Sequence, residues 1–323
     1  MVNKIIKSRG GLHNRLTKRI HLRPFTLQDT EKLLRYNKVN LTRYDILQVY
    51  MTLGGIPHYL SKIETGESVP QLIDRLLFAE HGFLRNEFDN VFASIFDTYD
   101  NHDELVIILA SVRMGMTRNK ILAKTKLSSG GTLTRTLNEL EESGFIENYT
   151  PYLGKKNSLY RLTDEYTLFY LKFVEKTPLS KHGSWTRMQS KQSYKSWAGF
   201  SFETICIKHV DQITAALNIS GIRTVHGSWK GPGEGKGAQI DLLIDRDDRV
   251  INLCEMKFND LPYTLDKRYA LSIENKIQKF VTATETKKTI FTTFIIAKGI
   301  KPNKYSRQHI RNQVSLDDLF KEL

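Results

Sequence analysis

The sequence predicts a multidomain chain: an all-α N-terminal segment, a small helical unit closed by a short hairpin, and an α/β domain with a mixed central sheet. Three observations predict it. Apolar residues recur at helical spacing through most of the first hundred residues and again over 104–140. Two short runs of strand character, 145–149 and 158–162, close that second helical set. From 194 onward a helix gives way to a strand, an apolar hairpin, an amphipathic helix and a second apolar strand. At 323 residues the chain exceeds what one core usually serves. The divisions fall at 1–99, 100–175 and 194–323, and the polar, basic stretch KTPLSKHGSWTRMQSKQS over 176–193 reads as a linker.

The first 24 residues carry seven Lys or Arg and no acid, which predicts a basic arm. A helix then opens in FTLQDTEKLLRYNK, with Thr26 as N-cap, Asp29 placed as in a capping box, and Leu27, Leu33 and Leu34 as its apolar stripe. Further helices are expected over 44–53, 69–78 and 82–99, interrupted at Gly54-Gly55-Ile56-Pro57.

In the second unit, Leu105, Ile108, Leu109 and Val112 give one helix, and Thr117 caps a short one containing Ile121 and Leu122. Leu133, Leu137 and Leu140 give a third, ending at Gly144. FIENY and SLYRL pair across Gly154-Lys155-Lys156-Asn157. Three helices and such a hairpin make a winged helix-turn-helix. Bound to DNA, its third helix would offer Thr132, Thr134, Arg135 and Asn138 to the major groove, with Lys155 and Lys156 on phosphates. Glu139, Glu141 and Glu142 on the same helix would repel phosphate, and protein contact is the alternative use.

The strongest chemical signal is QIDLLIDRDDRVINLCEMKF, 239–258. Side chains alternate along a strand, so Glu255 and Lys257 share a face, roughly 7 Å apart. The polar cluster 245–249 is the turn, and a three-residue loop centred on Asp248 would set Asp241 opposite Glu255. Two carboxylates with the Met256 carbonyl form an oxygen-rich site suited to Mg²⁺ or Mn²⁺. The alternative is an edge hairpin whose charges discourage strand pairing. The pattern resembles the PD-(D/E)XK (restriction-endonuclease-like) nuclease fold, with an acid on one strand and Glu-x-Lys on the next; Ile240 stands where a proline is usual. The resemblance implies Asp241, Glu255 and Lys257 as catalytic residues, the first two holding metal, with Glu203 in FSFETICIKHV as the added acid of the preceding helix. The residues themselves read as a helix over 197–217, strands over 224–229 and 289–298, and an amphipathic helix over 271–284, and a helix, a mixed sheet and a crossover helix are what that fold requires. Lys276 and Gln278 on that crossover are candidate phosphate contacts or merely solvated.

RGGLHNRLTKRIHLRPFTLQDTEKLL followed by LGGIPHYLSKI resembles the junction of core and helical lid in archaeal-type AAA+ ATPases, which continue into a winged helix and a PD-(D/E)XK C-terminal domain. The resemblance covers essentially the whole chain, as the C-terminal portion of such an enzyme. The chain contains no G-x-x-x-x-G-K-[ST]. GPGEGKGAQ, 231–239, lacks the hydroxyl residue after its lysine and reads as a loop, with Lys230 and Lys236 available to phosphates. ATPase activity is therefore not expected of this chain alone, and ATP enters only if another chain supplies a P-loop core. Arg15 and Arg19 would then be candidates to touch that nucleotide; a solvated arm is the alternative.

Composition agrees with a polyanionic partner: 48 Lys+Arg against 35 Asp+Glu give a net charge of +13. Two cysteines, Cys206 and Cys254, both in apolar runs, exclude a disulfide framework and a Cys-based zinc site. No apolar run reaches the ~18 residues of a membrane span and no signal core opens the chain, so a cytoplasmic setting is expected. The expected function is DNA binding with metal-dependent phosphodiester hydrolysis; the alternative is a non-catalytic DNA- or protein-binding effector. DNA, an AAA+ core or a second copy of the chain are the candidate partners.

Overall fold

The computed structural model describes residues 18, 20–96, 100–127, 131–154, 158–178, 183–231 and 237–323. Helices α1, Leu27–Tyr36, and α2, Arg43–Leu53, each begin in a capping box, Thr26 with Asp29 and Thr42 with Asp45. The chain then turns at Gly54, whose φ of +67° suits glycine, and at Gly55, where a Cβ would lie 2.1 Å from the Phe25 carbonyl oxygen. That closeness lets Phe25 N–H donate to the Gly55 carbonyl at 2.7 Å, tying the start of α1 to the end of α2. Helix α3, Pro57–Leu60, and α4, Val69–Ile73, follow. The helix expected over 69–78 widens after Ile73 into a π turn, Asp74–Phe78, and the one expected over 82–99 is confined to α5, Glu87–Ile95.

The second unit comprises α6, Asp100–Ala110, α7, Arg118–Leu122, and α8, Gly131–Glu142, with β1, Ile146–Tyr149, antiparallel to β2, Leu159–Leu162. Thr117 caps α7, as its sequence predicts, and Leu133, Leu137 and Leu140 are buried on one face of α8. Met116 bridges to Tyr160, lashing the turn before α7 to the hairpin. Helix α9, Glu165–Phe169, continues into a π turn, Tyr170–Val174, and packs on α2.

The stretch expected as a linker contains a helix, α10, Ser184–Gln189. Its average polarity conceals Trp185, which is 1% exposed and lies 4.8 Å from Phe169 and 5.2 Å from Phe173 between ring centres. One aromatic anchor outweighs the solvation of its polar neighbours. Helix α11, Gln192–Lys208, starts earlier than expected and ends at His209, where α12, Val210–Ala216, begins. His209 explains the break: its Nδ1–H donates to the Ile205 carbonyl at 2.8 Å, and its Nε2 accepts from Leu27 N–H at 3.1 Å, joining α1 to the C-terminal region.

A five-stranded sheet follows, in the order β3 (Thr224–Lys230), β4 (Gln239–Arg246), β5 (Val250–Lys257), β6 (Thr289–Ile296), β7 (Asn312–Ser315). The first three are antiparallel; α13, Lys267–Thr284, then crosses over so that β6 lies parallel to β5, and β7 parallel to β6. Helix α14, Lys304–His309, precedes β7. Leu242, Cys254, Met256 and Ile295 face the core that holds Phe202 and Ile205 of α11. Leu243, Ile251, Leu253 and Phe280 form a second core under α13. The hairpin β4–β5 is thus interior to the sheet, which removes the edge-hairpin alternative. Among the described residues no helix is long and apolar enough to cross a membrane.

Candidate active site

Strand β5 places Glu255 and Lys257 on the side of α13, two residues beyond Leu253, and their charged ends meet at 3.6 Å as alternation predicts. Glu255 is 5% exposed, deep for an acid. Burial pushes its pKa up, but Lys276 and Lys257, with hydrogen bonds from Lys276 and Tyr269, outweigh burial and hold it below the usual carboxylate range. Lys276 Nζ donates to Oε1 and the Tyr269 hydroxyl to Oε2. Lys257 Nζ donates in turn to the Tyr269 oxygen at 2.5 Å. Burial lowers the pKa of Lys257, with Glu255 opposing it.

The loop joining β4 to β5 is 247–249, centred on Asp248 as expected, and the pairing runs from Asp245↔Ile251 to Leu242↔Cys254. Asp241 departs from simple alternation. Between Gly227↔Leu243 and Trp229↔Ile240 the β3 strand advances two residues and β4 three, so β4 bulges at 241–242 and re-aims its side chains there. Asp241 is half-buried and its Oδ1 accepts from Gln239 Nε2 at 2.6 Å. Its charge is felt by Glu203 on α11, whose pKa is pushed up to about 7 by burial first and by Asp241 second. Arg113, from the turn after α6, ion-pairs with Glu203 and lies over the Phe200 ring at 4.9 Å. Met114 beside it accepts from Gln239 through sulfur.

The site therefore has two lobes, Glu203, Asp241 and Arg113 on one side and Glu255, Tyr269 and Lys276 on the other. Lys257 links them, since Glu203 and Glu255 both act on it. Of these residues Asp241, Glu255, Lys257 and Glu203 stand out in the sequence. Arg113 and Tyr269, which contact Glu203 and Glu255, do not, and Lys276, expected on phosphate or in solvent, pairs with Glu255. No local spacing announces these three; a charged strand acid that must be buried was the one signal that cationic partners had to exist.

Among the described residues no group of three or more His, Cys, Asp or Glu side chains is arranged to hold an ion. A divalent cation would have to rest on Asp241, Glu255, the Met256 carbonyl, water and phosphate. That donor set is oxygen throughout, as a hard ion requires; Glu203 beside it is ion-paired with Arg113, and Glu255 Oε1 accepts from Lys276. Of the residues considered for nucleic acid, Arg135 and Asn138 are exposed on α8 and Lys230 is exposed at the end of β3. Lys155, Lys156, Lys236, Arg15 and Arg19 lie outside the described residues. Compared with known proteins, the chain matches no family model, no curated protein and no solved structure.

Proposed function

We propose that the protein binds DNA and hydrolyses a phosphodiester bond with Mg²⁺ or Mn²⁺ at the β4–β5 site, on a PD-(D/E)XK-like domain carried behind a winged helix-turn-helix, in a chain descended from an archaeal-type AAA+ ATPase. The observation that supports this reading is Lys257 lying between two acids, Glu255 on its own strand and Glu203 on α11, with Asp241 acting on Glu203, on an antiparallel meander to which a crossover helix adds a parallel strand. Asp241, Glu255 and the Met256 carbonyl would hold the ion, which when bound supplies a Lewis acid and a water of lowered pKa. Lys257, partly desolvated, would neutralise charge building on the phosphate. Glu203, titrating near neutrality, is suited to hold or release a proton at its carboxyl. Arg135, Asn138 and Lys230 would track the duplex.

Nicking of branched or single-stranded DNA with Mn²⁺ or Mg²⁺ tests this. Asp241→Asn, Glu255→Gln and Lys257→Ala should each abolish cleavage while circular dichroism stays unchanged; equal activity in all would identify a contaminant. One observation favours a second reading, a non-catalytic effector: the Glu255 carboxylate is already balanced by Lys276, Lys257 and Tyr269. Calorimetric titration with Mn²⁺ separates the two, because an idle site gives no binding that depends on Asp241 and Glu255.

A further inference from the structure

A cavity of about 300 Å³ lies away from this site, between α3 and α5 on one side and α9 with the start of β1 on the other. Its size is at the lower end for small-molecule sites. Aromatic rings make its walls, among them Tyr59, Phe88, Phe92, Phe145 and Tyr166. Two carboxylates, Glu87 and Asp164, also line it. In a chain with 48 Lys+Arg, none of the described residues lining this cavity is Lys or Arg. Glu87 Oε1 accepts from the Tyr59 hydroxyl at 3.3 Å, and Asp164 Oδ1 accepts from the Thr167 N–H at 2.7 Å, so both acids are held in place. Burial raises the pKa of the Tyr59 and Tyr166 phenols, and the charges of Glu87 and Asp164 act in the same direction. Thr167, a residue 1% exposed, lines the same space, and its buried hydroxyl has no hydrogen-bond partner among the described residues. An unsatisfied buried hydroxyl is uncommon and awaits a partner.

We infer that this cavity binds a small aromatic ammonium ion, its ring among Phe88, Phe92 and Phe145, its charge between Glu87 and Asp164, and one N–H donated to Thr167. Aromatic walls favour a cation over a neutral body of the same shape, and the two carboxylates exclude an anion. A one-ring amine matches the volume. Such a ligand would bridge the N-terminal helices and the β1–β2 unit, so its occupancy would stiffen their junction.

The test is calorimetric titration of the full chain with 2-phenylethylamine, 2-phenylethanol and phenylacetate. The amine should bind saturably, and the alcohol and acid about tenfold or more weaker. Glu87→Gln combined with Asp164→Asn should weaken the amine by about tenfold while leaving the alcohol unchanged. Val91→Trp, which fills the space, should abolish binding. Should the double variant fail to fold, Glu87→Gln alone, at a half-buried position, reads the same effect. The inference is overturned if the acid or alcohol binds as well as the amine, if the carboxylate variants bind the amine unchanged, or if folded protein gives no saturable amine binding at millimolar concentration.

Discussion

Replacing Glu203 by Gln makes the protein more stable at pH 8, and the gain disappears in acid. The carboxyl of Glu203 is 20% exposed and its pKa rises from 4.5 to about 7, through burial, then the charge of Asp241, against the pull of Arg113 and Lys257. At about 1.4 kcal/mol per tenfold change in proton affinity, ionising Glu203 in the fold costs about 3 kcal/mol. Because the folded pKa lies above the unfolded one, the native state keeps a proton that the unfolded chain has already lost. The stability tied to that proton is complete below pH 4.5 and is lost as pH rises towards 7. Glutamine mimics the protonated acid at every pH. Urea unfolding followed by fluorescence of the three tryptophans, in chelator and at intervals from pH 4.5 to 8, gives the difference between variant and wild type. That difference should grow by about 3 kcal/mol across the range, and any constant effect of the substitution cancels. Parallel curves, diverging by less than about 1 kcal/mol, would refute the assignment of a strained acid pair.

His209 works in the opposite direction. Burial lowers its pKa from 6.5 to about 4, so stability is intact above 6.5 and falls with acid; relative to His209→Gln, wild type should lose about 3 kcal/mol between these values in urea melts. Gly55→Ala must push the Phe25 backbone away and break the Phe25 N–H bond to the residue 55 carbonyl, lowering stability by about 3 kcal/mol and reducing Tm. Trp185→Ala should cost about 3–5 kcal/mol and expose the 176–193 segment to proteolysis, whereas a true linker would be indifferent. Lys276→Met leaves the buried Glu255 short of a partner, raising its pKa and destabilising the protein by about 3 kcal/mol at pH 7; the deficit should shrink at pH 4, where the acid takes up a proton.

What the sequence made legible was local. The polar cluster 245–249 set the hairpin loop at 247–249, and the two-residue period put Lys257 beside Glu255. Thr26 with Asp29 and Thr117 announced helix starts through side-chain bonds confined to three residues. What escaped depended on distance along the chain. Lys276 reaches Glu255 from 21 residues away and Arg113 reaches Glu203 from 90, and no periodicity encodes such meetings. The bulge in β4 was equally hidden, because DLLID reads as an unbroken strand while the partner strand decides the count. Strand β7, four residues in RNQVSLDD, shows too little alternation to separate from a loop.

The β3 strand ends the sheet, and a bare margin of this kind invites a foreign chain to add itself. Here Tyr152 closes part of it. Ser228 sits opposite the extra residue of β4, and its carbonyl accepts from Tyr152 N–H at 2.7 Å while the Tyr152 hydroxyl reaches round to Asp245 at 2.8 Å. A ring and one amide thus act as a selvedge that keeps neighbouring molecules from knitting onto the fabric. The hairpin unit upstream thereby covers part of the outer margin of the C-terminal sheet, whatever chemistry that sheet performs.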